Sequence, residues 1–433
     1  MRVTPGASWE QPALADQRRV ETWTGEIFLL DMVAMLVLPL ERLEVPGLPF
    51  VLNDLAVAGL AVLASVRAPR VRGTRGAWIV WIFAAILVLL TASMYLNGPG
   101  ATYTLGLDGR RRILHLALLF LLVLALATGR IHARSAAVGI TAGVTTATLL
   151  AFVKIGGDAY PGRLTGFFGD PNVAGLILTV LGPLIIGSQQ RRRRQVLLGS
   201  IFVVAIVMTQ SRTALFSAAV ALGWRLIGRR TARSLGMIVP VVAVWAIATF
   251  GSEYKQSGSF ADRAGSDWLR DQLLVLENAH IAAAPWYGTG PNTAFVSFGE
   301  NIFLYHSSYL AARAEGGWPL LVLVLAAYAG VFWSLMSLPT QRRNVWMESS
   351  ATAVLGMALY LGDVFLSTTG MVFLGLALHY VRANHPDGGV VSRTRRLRAM
   401  AVPTAWERAG PFPPSSQMSG APPTAPTPHG PSA

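Results

Sequence analysis

The stretch AWIVWIFAAILVLLTASMYL (77–96) holds twenty residues without a single charged side chain. A bilayer core about 30 Å thick needs roughly 20 apolar residues as helix, so this run predicts a transmembrane helix. Outward from it, the chain contains about twelve apolar runs: 27–40, 50–66, 77–96, 113–128, 135–153, 172–188, 196–209, 213–228, 234–250, 318–338, 347–366 and 369–382. The shorter ones are expected to be tilted or partly interfacial. The first run follows a polar stretch and lacks a small-x-small cleavage site, which predicts a retained anchor rather than a signal peptide. The expectation is an all-α polytopic membrane protein with about 12 transmembrane helices.

Composition agrees. Apolar residues make up 53% of the 433 and charged ones 13%, against about 25% charged in soluble proteins. Mean hydropathy is +0.48. These values exclude a disordered chain and a single soluble domain. The absence of cysteine excludes a disulfide framework, a Cys zinc site and a thiol nucleophile.

Net charge is +14, and 34 of the 36 basic residues are Arg. Their distribution predicts topology. With the N-terminus inside, Arg67, Arg70, Arg72, Arg75, Arg130, Arg134, Arg191 to Arg194, Arg225, Arg229, Arg230, Arg233, Arg342 and Arg343 all fall on the cytoplasmic side. The split is 25 basic residues inside to 11 outside. Cytoplasmic loops carry such an excess of Lys and Arg. Both termini are therefore expected in the cytoplasm of a multi-pass inner-membrane protein. The basic charge argues for membrane lipid as a partner and against nucleic acid.

The predicted organisation is a cytoplasmic segment (1–26), helices one to nine (27–250), an extracytoplasmic loop (251–317), helices ten to twelve (318–382) and a cytoplasmic tail (383–433). The tail ends in a Pro/Ser/Ala/Thr stretch that cannot bury a core, so it is expected to be disordered. The long outer loop is expected to contain short amphipathic helices, with one over 266–284. Loops of this length are usually functional.

Candidate chemistry gathers on the outer side. Arg163 stands in GRLTGFFGDPN (162–172), where Asp170 or Asn172 can cap the next helix. A helix N-terminus beside an Arg suits a phosphate. Arg212, in TQSRT (209–213), is held in a tight turn with Ser211. His306, in YHSSYL (305–310), can accept a proton near neutral pH, and Glu315 follows nine residues on. Asp262, Asp267 and Asp271 read as a charge-paired helix face. No Asp-x-Asp, H-E-x-x-H or P-loop is present, so no metal or nucleotide cofactor is expected. Gly288 to Asn292 reads as a turn, and Gly139 and Gly143 as a G-x-x-x-G packing signal. Asp31, Asp54, His115 and Asp363 lie within apolar runs and read as packing or pathway groups.

Taken in order, these pieces resemble the O-antigen ligase and polymerase family of polytopic membrane glycosyltransferases. They are Arg163-x-Thr-Gly with Asp-Pro-Asn, Ser211-Arg-Thr-Ala, Arg263 ahead of Trp268, PWYGTGPNTAF (285–295), His306-Ser-Ser-Tyr-Leu and Glu315-Gly-Gly-Trp-Pro. Ser307 stands where the family often has Asn, and Leu320 where it often has Gly. The resemblance implies a polyprenyl-pyrophosphate-linked glycan donor and an acceptor hydroxyl on a glycan or lipid-glycan. It also implies transfer without metal or nucleotide. Arg163, Arg212 and Arg263 would hold the pyrophosphate and His306 would act as base, with Asp170, Asn172, Ser211 and Glu315 in support. A ligase and a polymerase are not separated by these residues. A secondary transporter or a lipid-linked glycan flippase is the alternative. Transporter folds usually show two similar halves, which this chain lacks.

Overall fold

The computed structural model describes residues 23, 26–41, 43, 51–72, 75–98, 108–157, 160–250, 264–385 and 389–390. Most of the N-terminal segment, Asp262, Arg263 and the tail beyond 390 lie outside these residues. Each of the twelve apolar runs contains a helix: α1 (Leu29–Val37), α2 (Leu52–Ser65), α3 (Trp78–Asn97), α4 (Gly109–Ala127), α5 (Ala133–Phe152), α6 (Pro171–Ser188), α7 (Arg192–Thr209), α8 (Arg212–Ile227), α9 (Arg233–Phe250), α11 (Ser308–Met336), α12 (Val345–Met357) and α13 (Thr368–Asn384). Among the described residues the remaining α-helix is α10 (Ala264–Ala283), which covers the predicted amphipathic segment. Among the described residues, four helices (α3, α5, α6 and α11) are long and apolar enough to cross a membrane, and α2 and the first part of α9 are shorter apolar helices.

Two helices form the centre. In α13 every residue but Ala383 is buried, and in α6 thirteen of eighteen are, as expected of helices surrounded by other helices. Around them, α1 packs on α5, α4 on α13, α8 and α6 on α12, and α3 on α11. Small residues allow the closest approaches. A Cβ at Gly139 or Gly143 would collide with α1 backbone carbonyls, so the G-x-x-x-G is a packing surface. The periphery exposes large apolar side chains such as Trp81, Val88, Leu226 and Trp245. Such a surface is at home in lipid rather than water.

The bundle has two chemically distinct ends. At one, β1 (Val71–Arg72) pairs antiparallel with β4 (Gly389–Val390). The Arg382 Nε donates to the Arg75 carbonyl at 2.8 Å, and Arg342 to that of Asn384 at 3.0 Å. Asp31 is buried here between Arg67 and the His132 N–H. Arg343 and Glu348 form a buried bidentate pair at 2.9 and 2.7 Å, to which Trp224 Nε1 adds a third bond. Arg67 also donates to the Arg130 carbonyl and Arg343 to that of Gly228, so several of the basic loops meet at this end.

The other end carries the long loop, where the structure departs from a purely helical expectation. After α10 the chain forms a hairpin, β2 (Phe295–Phe298) with β3 (Asn301–Leu304), in the register Phe295 opposite Leu304. The turn uses Gly299 at φ +63°. Aromatic and β-branched side chains favour strand over helix here. The hairpin and α10 share a small core of Leu273, Ala294, Val296, Tyr305 and Ala314.

Two further differences bear on the site. The apolar run 347–366 is helical only to Met357, and irregular chain carrying Asp363 leads into α13. The tenth helix begins earlier than its apolar run, at Ser308, and breaks at Gly316 and Gly317. Pro319 has no N–H to offer the Glu315 carbonyl and its ring crowds that oxygen. The freed carbonyls of Ala314 and Glu315 accept the N–H groups of Thr289 and Gly290 at 2.8 and 3.0 Å. The Trp318 N–H turns to the Trp286 carbonyl at 3.1 Å. The GTGPN turn and the EGGWP kink are thus one hydrogen-bonded unit.

Candidate functional site

A cavity of about 1010 Å³ opens at the loop end, at the upper limit of typical ligand pockets, which run about 300–1,000 Å³. Of the sequence-predicted residues, Arg163, Asp170, Asn172, His306 and Glu315 line it together. Arg212 does not: Gln210 lines the cavity at that turn, and Arg212 opens α8 just beyond. Ser211 stands behind the wall, capping α8 and donating to Asn172 Oδ1 at 2.9 Å. Arg263 falls outside the described residues, and Arg270 of α10 contributes the guanidinium on that side.

Arg163 is held from several directions. Its Nε donates to the Thr209 carbonyl at 2.9 Å and its guanidinium lies over the Tyr160 ring at 5.8 Å. The Leu164 N–H bonds the Met208 carbonyl at 2.8 Å, which stitches this loop to the end of α7. The Asp170 carboxylate and partial burial push the Tyr160 hydroxyl above its ordinary pKa. Asp170 caps α6, accepting the N–H groups of Asn172 at 2.7 Å and Val173 at 3.4 Å. This corrects one expectation. The first N–H groups of α6 are already taken by a carboxylate, so any phosphate here depends on Arg side chains and not on the helix terminus.

His306 sits between β3 and α11. Its backbone N–H donates to Glu277 Oε1 at 3.1 Å, and its Nδ1 lies 3.4 Å from the same oxygen. Glu277 comes from α10 and is 1% exposed, whereas the His306 side chain is 41% exposed toward the cavity. The neighbouring Tyr305 hydroxyl bonds His280 Nδ1 at 2.8 Å, and burial together with the Glu277 charge pushes its pKa up. With its proton on Nδ1 facing Glu277, the imidazole presents Nε2 as an acceptor. Glu277 carries no local sequence signal, being one polar residue on an amphipathic helix.

Glu315 is buried beneath the kink and accepts the Asn292 N–H at 3.1 Å. Its other oxygen lies 3.8 Å from Arg112 Nε. Arg112 also pairs with both oxygens of Asp363 at 3.1 and 3.3 Å. Beside them His115 Nδ1 lies 3.4 Å from Asp54. Asp54, His115 and Asp363, which as sequence are only charges inside apolar runs, therefore face the cavity with Glu41 and Asn53. Among the described residues, five carboxylates and three guanidinium groups line it. Also among the described residues, no group of three or more His, Asp or Glu converges as metal ligands would.

Residues 196–325 match the family model described as O-antigen ligase. This stretch is similar to the O-antigen ligase family. No curated protein matches the chain. The matched stretch runs from α7 to the middle of α11 and includes Gln210, Arg212, Arg270, Glu277, His306 and Glu315. The rest of the cavity wall, from Glu41 to Leu176 and from Tyr360 to Thr368, is contributed by helices and loops outside it.

Proposed function

We propose that the chain is a membrane glycosyltransferase that moves a glycan from a polyprenyl-pyrophosphate donor to an acceptor hydroxyl, as a surface-polysaccharide ligase or polymerase. The observation that carries this reading is the placement of His306, backed by buried Glu277, in the same cavity as Arg163 within and beside the stretch similar to the O-antigen ligase family.

The acceptor oxygen attacks the anomeric carbon of the donor. The bond from that carbon to the pyrophosphate oxygen breaks, and the electron pair leaves with the polyprenyl pyrophosphate. His306 Nε2 takes the acceptor proton, and Glu277 stabilises the resulting imidazolium. Arg163 and Arg270 stabilise the charge that develops on the departing pyrophosphate. Arg212, at the next turn, joins them through a side-chain movement. Arg suits this task because its planar fork binds two phosphate oxygens at once. The chain is read as lying in the inner membrane with about twelve spans, the basic end and both termini in the cytoplasm, and the cavity outside.

Deleting the gene and analysing surface polysaccharide tests the reading. Retention of a single repeat unit with loss of long chains identifies a polymerase. Accumulation of lipid-linked long chains identifies a ligase. Unaltered surface glycan and unaltered lipid-linked pools would refute both.

A further inference from the structure

The cavity wall is divided by charge. Arg163, Arg270 and the His306 ring, with a single carboxylate, Asp170, belong to the segments around 160–172, α10 and the link after the hairpin. Glu41, Asp54, His115 and Asp363 come from the turn after α1, the first turn of α2, α4 and the chain before α13. Arg112 in this second group is already engaged by Asp363 and Glu315. The second region thus presents carboxylates in excess, and a pyrophosphate would be repelled from it.

A second observation points to a ligand there. Asn53, 7% exposed, lines this part of the cavity, and its Oδ1 has no hydrogen-bond partner among the described residues. A buried acceptor left unmatched is costly, so such atoms usually have a partner in the functional state. Asn53 Oδ1 asks for a donor, and beside it Asp54, approached among the described residues only by His115 at 3.4 Å, and Glu41 have polar atoms to offer. The carboxylates do not converge as metal ligands would, so the missing donors belong to something larger than a cation. A ligand rich in hydroxyl groups and free of negative charge meets every one of these demands.

We propose that the Glu41–Asn53–Asp54 region is a sugar subsite that binds an uncharged, hydroxyl-rich residue of the acceptor and discriminates against sugars bearing a carboxylate or phosphate. The proposal rests on the glycosyltransferase reading for the word acceptor, but the binding itself does not. The donor pyrophosphate occupies the Arg163 side, and the acceptor enters from the carboxylate side, with His306 lining the same cavity. Of a pair of otherwise matched acceptors, the neutral one is the substrate.

The test uses the full-length chain in detergent and saturation-transfer NMR. The probes are a panel of neutral methyl glycosides, including glucoside, galactoside and mannoside, and the matching glucuronide. Inorganic pyrophosphate is titrated in parallel. At least one neutral glycoside should bind and the glucuronide should bind at least about tenfold more weakly, the ratio expected for about 1.4 kcal/mol of charge repulsion. Asp54→Asn should narrow that gap, and Asn53→Ala should weaken the neutral glycoside. Glu41→Gln serves as a second charge-removing variant should Asp54→Asn fail to fold. Arg163→Ala should abolish pyrophosphate binding and leave the glycoside signal intact. Equal binding of glucuronide and glycoside, no binding of any neutral glycoside, or wild-type discrimination in a folded charge-removing variant would each overturn the subsite. Loss of pyrophosphate binding in wild type with glycoside discrimination retained would instead count against the donor reading alone.

Discussion

Glu277 Oε1 accepts the backbone N–H of His306 at 3.1 Å and lies 3.4 Å from its Nδ1, with the carboxylate 1% exposed and the imidazole open to the cavity. One buried acceptor therefore sets both the position of the His306 backbone and the tautomer of its ring. His306→Ala should lower transfer by about 10²- to 10⁴-fold, the usual worth of a general base, while donor binding persists. Glu277→Gln should keep the backbone bond but lose the charge that favours the imidazolium, giving a smaller loss of turnover with donor affinity unchanged. Transfer and donor binding measured side by side in detergent decide this. A His306→Gln enzyme with near-normal transfer would remove the base assignment.

Arg163 is oriented through Nε by the Thr209 carbonyl and rests on Tyr160. Arg163→Lys preserves charge but loses both the Nε bond and the planar fork. We expect impaired transfer at normal membrane abundance. Combined with Arg212→Lys the losses should not add if both side chains grip one pyrophosphate. Full activity in both single variants would exclude the clamp.

Gly317 sits at φ +67° with the Trp286 carbonyl against its α-carbon. Gly317→Ala meets both a left-handed backbone and a collision, and each such strain costs about 1–3 kcal/mol. The variant should separate the 285–292 turn from α11, with lower thermal stability in detergent and faster proteolysis of the 264–306 region. Wild-type melting would show that the kink relaxes freely.

Glu41, at the end of the turn after α1, is pushed from an ordinary 4.5 up to about 7 by burial and then by the neighbouring Asp363 and Asp54 charges. A carboxyl whose pKa is raised on folding holds its proton better in the native state. Stability is therefore highest below about 4.5 as far as this group is concerned, and falls as pH rises toward and through about 7. Glu41→Gln should flatten the decline in melting temperature between pH 6 and pH 8. An identical pH slope in both proteins would show that Glu41 is not desolvated in the membrane-embedded chain.

Much of the architecture follows from local chemistry. A helix satisfies its own backbone hydrogen bonds and needs about 20 apolar residues to span lipid. Runs such as 77–96 therefore announce helices without reference to the rest of the chain. The gathering of Arg67 to Arg75, Arg191 to Arg194 and Arg342 with Arg343 at one end follows from alternation along the same runs. The capping role of Asp170 is local too, since it acts on the N–H groups two and three residues on. What the tertiary structure decided is which charges meet. Glu277 reaches His306 across 29 residues, and Arg112 reaches Asp363 across 251. Asp54, His115 and Asp363 are indistinguishable from packing groups as sequence, and became cavity residues only because the packing of α2 and α4 and the irregular chain after α12 brought them to one opening. Arg212 shows the converse: a motif residue in the right loop whose side chain stands outside the lining, because α8 begins there and Gln210 takes the wall. Helix rotation sets these partnerships and is not encoded in any short window of residues; the break at Gly316–Gly317 is local to EGGWP, but the 286–290 turn that bonds its freed groups is not.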